Sequence, residues 1–600
     1  MRRSSAPRTI VSLAVSALFI VQVLGVSASE EAGSRGADKK LDRALKGLVS
    51  VGNSGDTIPV IVQYKKGARE TVADAVAGNG DVVVNDLGAS SLVAQVKKAN
   101  IAALVGSEAV EQLSLDAKVR GHQSPDPSVD PSQPPITQDV LRTILGLPAT
   151  ASGATGGGVG VAILDSGIRD AGDFNGRITA FYDFTNGGRP MPPSDGYGHG
   201  THVAGLIGSD GSQSGGHYFG IAPAVSLIGM KVLDDAGDGL TSAVIAAVNF
   251  ATVNRRALGI DIINLSLGHP IYEEAATDPL VQAVEQAVAS GIVVVVSAGN
   301  DGIDPGTGQV GYAGIESPGN SPSAITVGAV RTFNTIARTD DQVADYSSRG
   351  PTWFDELAKP DLVAPGQRLV SDTSNKGLIN QYESWAYLSP FKTKGDFIRL
   401  SGSSMATAVV SGIAALVIDA NRHTVLPGNT PMAPLSPYDI KAILEYTATP
   451  IAGADALSQG TGEANAQGAL ALVAALDTRW TPWVVGALSG TTTIDGATQT
   501  WSESVIWGEY ALSSTTADAV LSGTHIVWGN HIVWGNHIVW GNHIVWGNNI
   551  VEDNHIVWGN HIVWGNHIVW GNHIVWGNTL PYSTSLSLDI AACGVSETCN

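Results

Sequence analysis

Between residues 137 and 478 short, almost purely apolar runs recur: Val159–Leu164, Val225–Val232, Ile260–Leu265 and Ile292–Ser297, each bounded by Gly, Asp or Asn. Helical stretches, among them Thr241–Val253 and Asp278–Ala289, separate them. Runs without polar alternation leave no face for water, so the pattern predicts an α/β domain: a doubly wound, mostly parallel sheet with helices on both faces. In such a sheet the ligand crevice lies outside the carboxyl ends of the strands, so the residues that follow each run are the ones to inspect.

A smaller unit with a different rhythm precedes this domain. Strand-like Ile58–Tyr64, helix-like Ala68–Ala77, strands Asp81–Val84 and Ser91–Val96, helix Lys98–Gly106 and strand Val110–Leu115 give a β-α-β-β-α-β order, predicting a small α+β ferredoxin-like core over 57–120. Residues 123–136 hold five prolines among polar residues and read as an exposed linker, the kind of segment that proteases cut. At the far N-terminus Arg2, Arg3 and Arg8 precede an apolar run, Ile10–Val26, that ends in small residues, the pattern of a secretory signal over 1–28, with an uncleaved membrane anchor as the alternative for a run near the lower limit for spanning a bilayer. The expected location is therefore extracellular.

Beyond 478 the pattern changes again. Residues 525–578 are nine consecutive hexads, eight of them His-Ile-Val-Trp-Gly-Asn and one degenerate, Asn549–Asn554. A six-residue period is a multiple of two, so each copy as a strand would place Ile, Trp and Asn on one face and His, Val and Gly on the other. That predicts a β-rich region over 479–600. A coil of stacked strands and a sheet of short ones fit equally. Structural stacking, metal binding by the in-register histidines, and attachment to a surface or polymer all remain open as its role.

Composition narrows the classes. The chain has 600 residues and 71 glycines, and 55 acidic against 34 basic side chains leave a formal charge of −21, which disfavours a nucleic acid partner. The only cysteines, Cys593 and Cys599, sit in the C-terminal tail as a candidate small disulfide loop, so no catalytic thiol is expected.

The strand ends carry the chemistry. The first run ends in Asp165-Ser166-Gly167. Gly198-His199-Gly200 opens a helix of small residues, the fourth run ends in Ser297-Ala298-Gly299-Asn300, and Gly402-Ser403-Ser404-Met405-Ala406 opens a long apolar helix. A serine hydroxyl becomes a nucleophile when an imidazole takes its proton and a buried carboxylate fixes that imidazole's tautomer. Asp165, His199 and Ser404 supply those types, and Asn300 with the Ser404 backbone N–H supplies oxyanion donors. The pair His199 and His202 lacks the His-Glu-x-x-His spacing of zinc hydrolases.

At these residues the chain resembles the subtilisin-like serine proteases (peptidase S8). Asp165-Ser-Gly, His199-Gly-Thr-His-Val-Ala-Gly and Gly402-Ser-Ser-Met-Ala resemble that family's three motifs in its order, and Asp345-Tyr-Ser-Ser-Arg-Gly-Pro351 and Lys359-Pro-Asp-Leu-Val-Ala-Pro-Gly366 are smaller echoes. Ser403 stands where the family usually has threonine and Ala408 where it usually has proline. The resemblance implies a serine endopeptidase of broad specificity acting on protein or peptide substrates. It also implies peptide-binding strands at Ser266-Leu267-Gly268 and Gly237-Asp238-Gly239, and a propeptide over 29–122 that inhibits its own enzyme. Catalysis then needs no cofactor. Structural calcium is possible at Asp234, Asp235 and Asp238, or at Asp170 and Asp173, although these loops lack the EF-hand spacing. An inactive scaffold that keeps the fold is the alternative, and here no triad member is missing.

Overall fold

The computed structural model describes residues 39–122, 140–374 and 397–507, apart from 52, 89, 480–483 and 486–487, with isolated strand segments at 387–388, 510–512 and within 526–564. The signal-like segment, the proline-rich linker, Cys593, Cys599 and most of the hexads lie outside the described residues. Among the hexads, short strands pair in parallel and in phase with the repeat, Ile526 opposite Ile538 and Ile532 opposite Ile544.

The N-terminal unit begins with α1 (Arg43–Ser50), whose N-cap Asp42 accepts from Leu45 N at 2.6 Å. Then follow β1 (Thr57–Tyr64), α2 (Arg69–Gly78), β2 (Val82–Gly88), β3 (Ser91–Lys97), α3 (Lys98–Val105) and β4 (Val110–Leu115). The four strands form one sheet in the order β2-β3-β1-β4, with β1 antiparallel to both neighbours. Val60, Val62, Leu92, Ala94 and Leu113 of this sheet pack on Val72 and Val76 of α2 and Ile101 and Leu104 of α3. After β4 the chain makes one further strand, β5 (Lys118–Gly121), which leaves this sheet altogether.

The larger domain is built on β6 (Gly160–Asp165), β7 (Ile178–Asp183), α4 (His199–Gly208), β8 (Ser226–Lys231), β9 (Asp238–Leu240), α5 (Thr241–Leu258), β10 (Ile262–Leu265), β11 (Leu267–Pro270), α6 (Pro279–Ala289), β12 (Val293–Ser297), β13 (Glu316–Ser317), β14 (Ile325–Arg331), β15 (Leu362–Pro365) and α7 (Ser403–His423). Its main sheet runs β14-β12-β10-β6-β8-β7, with β15 also paired to β14, and every one of these pairings is parallel. Only the short edge strands 342–343 and 189–190 are antiparallel.

Period-two alternation explains how an all-apolar strand serves two cores. Val161 and Ile163 of β6 face a cluster with α4 and α7, while Ala162 and Leu164 face a cluster with α5 and α6. The helix α7 is the one described helix long and apolar enough to cross a membrane, and it lies buried in the first of these clusters. It runs unbroken over 21 residues, with Ala408 among its buried positions. Beneath the sheet Asp361 pairs with Lys359 Nζ at 2.7 Å and Lys441 Nζ at 3.0 Å, all three side chains buried.

Candidate active site

Strand direction brings the chemistry to one edge. Asp165 is the last residue of β6, His199 the first of α4, and Ser404 the second of α7; α4 and α7 pack against one another. His199 Nδ1 donates to Asp165 Oδ1 at 2.7 Å, with both side chains fully buried. Asp165 Oδ1 also accepts from Ser166 N at 2.7 Å. An acceptor-only carboxylate at Nδ1 holds the hydrogen there, so Nε2 keeps its lone pair; that atom is buried and has no hydrogen-bond partner among the described residues.

Asp195 organises the turn that delivers His199. Its Oδ1 accepts from Tyr197 N, Gly198 N and Ser166 Oγ at 3.1, 2.7 and 2.9 Å, and its Oδ2 accepts from Thr201 N and Oγ1 at 2.9 and 2.6 Å. Ser166 Oγ in turn accepts from Gly200 N at 3.0 Å. One carboxylate thus locks the Asp165 loop to the first turn of α4. The second histidine, His202, plays no part in this. It is fully buried, its Nε2 donates to Leu369 O at 3.1 Å, and burial followed by the proximity of His199 drives its pKa down to about 3. It is a neutral core residue.

Asn300 and Ser403 form a pair. Asn300 Oδ1 accepts from both Ser403 N and Ser403 Oγ at 3.0 Å, which assigns the amide orientation and turns Nδ2 the other way, buried and without a hydrogen-bond partner among the described residues. Ser403 carries the hydroxyl expected of a threonine at that position.

The Ser404 hydroxyl is not on the imidazole. Its Oγ donates to Ser266 O at 2.9 Å, whereas its backbone N donates to His122 O at 3.3 Å. A second set of bonds holds β10 to α7: Asn264 Nδ2 to Ser266 Oγ at 2.9 Å, Ser266 Oγ to Ser404 O at 3.1 Å, and Ser411 Oγ to Asn264 Oδ1 at 2.9 Å. The hydroxyl must leave Ser266 O before it can hydrogen-bond to His199.

The cleft beside Ser404 is filled by β5. It lies antiparallel between β9 and β11, with Arg120 opposite both Asp238 and Gly268, Val119 opposite Gly239, and Gly121 opposite Leu267. His122 N continues the ladder by donating to Ser266 O at 3.2 Å. Ser266, Leu267, Gly268 and Gly239 therefore line an extended peptide. Gly237 sits just before β9 in a turn at φ +82°, where an added Cβ would come within 2.5 Å of the Tyr197 ring, so it shapes the strand's approach and stands outside the ladder.

The acidic loops have other partners. Asp234 Oδ1 accepts from Ala236 N and Asp238 N at 2.8 and 3.1 Å, Asp235 pairs with Lys231 at 3.0 Å, and Asp238 with Arg120 at 2.7 Å. Asp173 Oδ1 accepts from Ser212 Oγ and Gln213 N at 2.9 and 2.5 Å, and Asp170 is exposed. Among the described residues no group of three or more His, Cys, Asp or Glu side chains could hold a metal ion.

A buried carboxylate at a parallel strand end paired with a histidine at a helix start, a serine at a second helix start and a cleft lined by two strand edges are the arrangement of a subtilisin-like serine endopeptidase. The chain belongs to the subtilase family, whose profile matches residues 156–469. It is 38% identical over 318 residues to serine protease AprX of Bacillus subtilis, covering 52% of this chain and 66% of that relative, so it spans just under two thirds of AprX. It is 34% identical over 367 residues to subtilisin E of the same species, covering 59% of this chain and 80% of that one. In fold it is similar to fervidolysin from Fervidobacterium pennivorans, a keratinolytic enzyme related to subtilisin, with a TM-score of 0.52 at 21% identity over 70% of this chain and 62% of that one.

Sequence reasoning did not anticipate β5 in the cleft, nor the part Asp195 plays in holding the turn before His199. An Asp four residues before the motif histidine was a readable signal for Asp195. For β5, Lys118-Val-Arg-Gly121 is too short and too charged to stand out as a strand.

Proposed function

We propose that the chain is a secreted zymogen of a serine endopeptidase, with Ser404 as nucleophile, His199 as general base, Asp165 orienting that histidine, and Asn300 with Ser404 N–H as the oxyanion donors. The N-terminal unit acts as intramolecular inhibitor. The observation that carries this reading is the path of residues 118–122, which run between two strand edges and present the His122 carbonyl to Ser404 N. A peptide held by main-chain hydrogen bonds on both sides is selected by its extended shape, which supports activity on protein substrates with a few side-chain pockets for preference.

In the chemical step His199 Nε2 takes the hydroxyl proton as Ser404 Oγ adds to the carbonyl carbon, and the oxyanion forms on the two donors. Collapse breaks the C–N bond and returns the proton to the leaving amine. Water then repeats the sequence on the acyl ester, leaving a carboxylate.

The inhibitor role is supported by contacts away from the cleft. Asp116 accepts from Ser242 N and Oγ at 2.8 Å in the first turn of α5, and Glu273 accepts from Gln112 Nε2 and Ser114 Oγ at 2.7 and 2.5 Å. Expression in an exporting host tests the whole reading. The wild type should be secreted, lose its N-terminal unit and hydrolyse casein, while Ser404→Ala should accumulate at precursor length without activity. Equal trimming and casein hydrolysis by both forms would overturn it.

A further inference from the structure

His122 fills a pocket in the floor of the cleft, its side chain only 6% exposed. Its Nδ1 lies 2.6 Å from Ser297 Oγ, and the Ser297 hydroxyl donates to Leu265 O at 3.3 Å. The other ring nitrogen, Nε2, rests on Glu316 Oε2, an acceptor-only carboxylate, so the pocket presents a negative charge to the tip of the side chain that fills it.

Three further features suit a cation. Burial pushes the Glu316 carboxyl up, but the charge and hydrogen bond of His122 outweigh it and hold the group below its ordinary range. Asp301 hydrogen-bonds to Glu316 and is raised to about 6, by burial first and by Glu316 second. The walls are glycines. A Cβ on Gly268 would come within 2.7 Å of His122 Cε1 and 3.0 Å of Glu316 Oε2, and a Cβ on Gly299 within 3.1 Å of Glu316 Cγ. Any larger residue at either position would close the slot over the carboxylate.

We propose that Glu316 makes this pocket selective for a cationic side chain, histidine above all, on the residue that supplies the scissile carbonyl, and that His122–Gln123 is the bond the enzyme opens in its own precursor. The inference rests on the catalytic reading above. Ser404 Oγ adds to the His122 carbonyl carbon, the C–N bond to Gln123 breaks, Gln123 leaves as a free amine with the proton from His199, and hydrolysis leaves His122 as a carboxylate. The depth of Glu316 ranks the cations: it meets a side chain of imidazole length, so lysine and arginine reach it only by folding or by displacing it.

The three residues before His122 complete the specificity. Gly121 pairs with Leu267, exposed Arg120 bonds to Asp238 at 2.7 Å, and Val119 is fully buried against the strand edges at Gly239, where an added Cβ would lie 3.0 Å from it. An apolar residue three positions before a cation is therefore the preferred pattern. The hexads repeat it in sequence as Trp528-Gly529-Asn530-His531.

The test uses the mature wild-type enzyme and quenched peptides Lys-Val-Arg-Gly-X-Gln-Ser-Pro with X = His, Arg, Lys, Leu or Glu, together with a two-hexad peptide, at about pH 6, where a free imidazole is largely protonated. The mature protein should begin at Gln123. kcat/KM should be highest for X = His and lowest for X = Glu, and the two-hexad peptide should be cut after His. A charged hydrogen bond lost from a buried site predicts that E316Q lowers the His to Leu ratio by about tenfold or more. Leucine cleaved as well as histidine by the wild type overturns the proposal without any variant, and so does a mature terminus elsewhere. If no peptide is cleaved, or Ser404→Ala cleaves them equally, the catalytic reading itself fails.

Discussion

Replacing Ser403 by alanine removes one of two hydrogen bonds that aim the Asn300 amide. Both reach Asn300 Oδ1 at 3.0 Å, one from Ser403 N and one from Ser403 Oγ, with Ser403 fully buried and Asn300 partly so. The backbone bond survives the substitution. Loss of one neutral hydrogen bond is worth about 1 kcal/mol, or about fivefold in rate. Removing a whole oxyanion donor, as in Asn300→Ala, should cost ~3 kcal/mol, about a hundredfold or more, the magnitude established for the oxyanion asparagine of subtilisin itself. Because the amide acts on charge that exists only in the transition state, Ser403→Ala should lower kcat about fivefold with KM unchanged. Steady-state kinetics on one quenched peptide would read both parameters, and Ser403→Thr should restore kcat. In an Asn300→Ala background the same change should add nothing, since the group it positions is gone. A loss as large as that of Asn300→Ala, or a further fivefold loss in that background, would refute the positioning role.

Asp165→Asn should keep the fold and drop kcat by about ten-thousandfold, because an amide at Oδ1 permits the wrong imidazole tautomer; circular dichroism with burst kinetics would check both. Asp361→Ala leaves Lys359 and Lys441 buried without their shared carboxylate, and breaking such a cluster should cost about 3–5 kcal/mol, read by urea denaturation in the Ser404→Ala background. Glu273 is raised to about 8 by burial, with Asp278 adding to it. A carboxyl raised in the docked state gives its full stabilisation below its ordinary pKa and loses it as pH rises through the shifted one. Inhibition by the separately added N-terminal unit should therefore weaken as pH climbs from about 4.5 to about 8, and Glu273→Gln should flatten that dependence.

Much of the architecture was readable because its signals are physical and local. Strands β6, β8, β10 and β12 are mostly apolar, their polar residues confined to Asp165, Ser226, Lys231, Asn264 and Ser297, and a run without regular polar alternation fits a sheet covered on both faces. The candidate site residues Asp165, His199 and Ser404 were readable as residue types because each lies at an element end within two residues of a glycine. Boundaries were less secure. The helix read as Thr241–Val253 continues to Leu258, because polar Asn254, Arg255 and Arg256 lie on its outer side and the true stop is Gly259 at φ +66°.

What the sequence concealed was long-range. Nothing around Lys118 says that it will leave its own sheet and pair with residues 238–240 and 267–268, since strand addition is fixed by the partner's edges. Glu316 reads as an ordinary surface carboxylate until the fold brings it beneath His122, 194 positions away. Ser403 was legible as a residue type, while its bond to Asn300 required the two loops in space.

The central claim is that Ser404 is activated by His199. Labelling the mature enzyme with a fluorophosphonate, followed by peptide mapping, tests it most directly, since the reagent needs nucleophile, base and oxyanion donors together. The account predicts a single adduct on Ser404 that disappears in His199→Ala. An adduct on another residue, or undiminished labelling of Ser404 in His199→Ala, would contradict it.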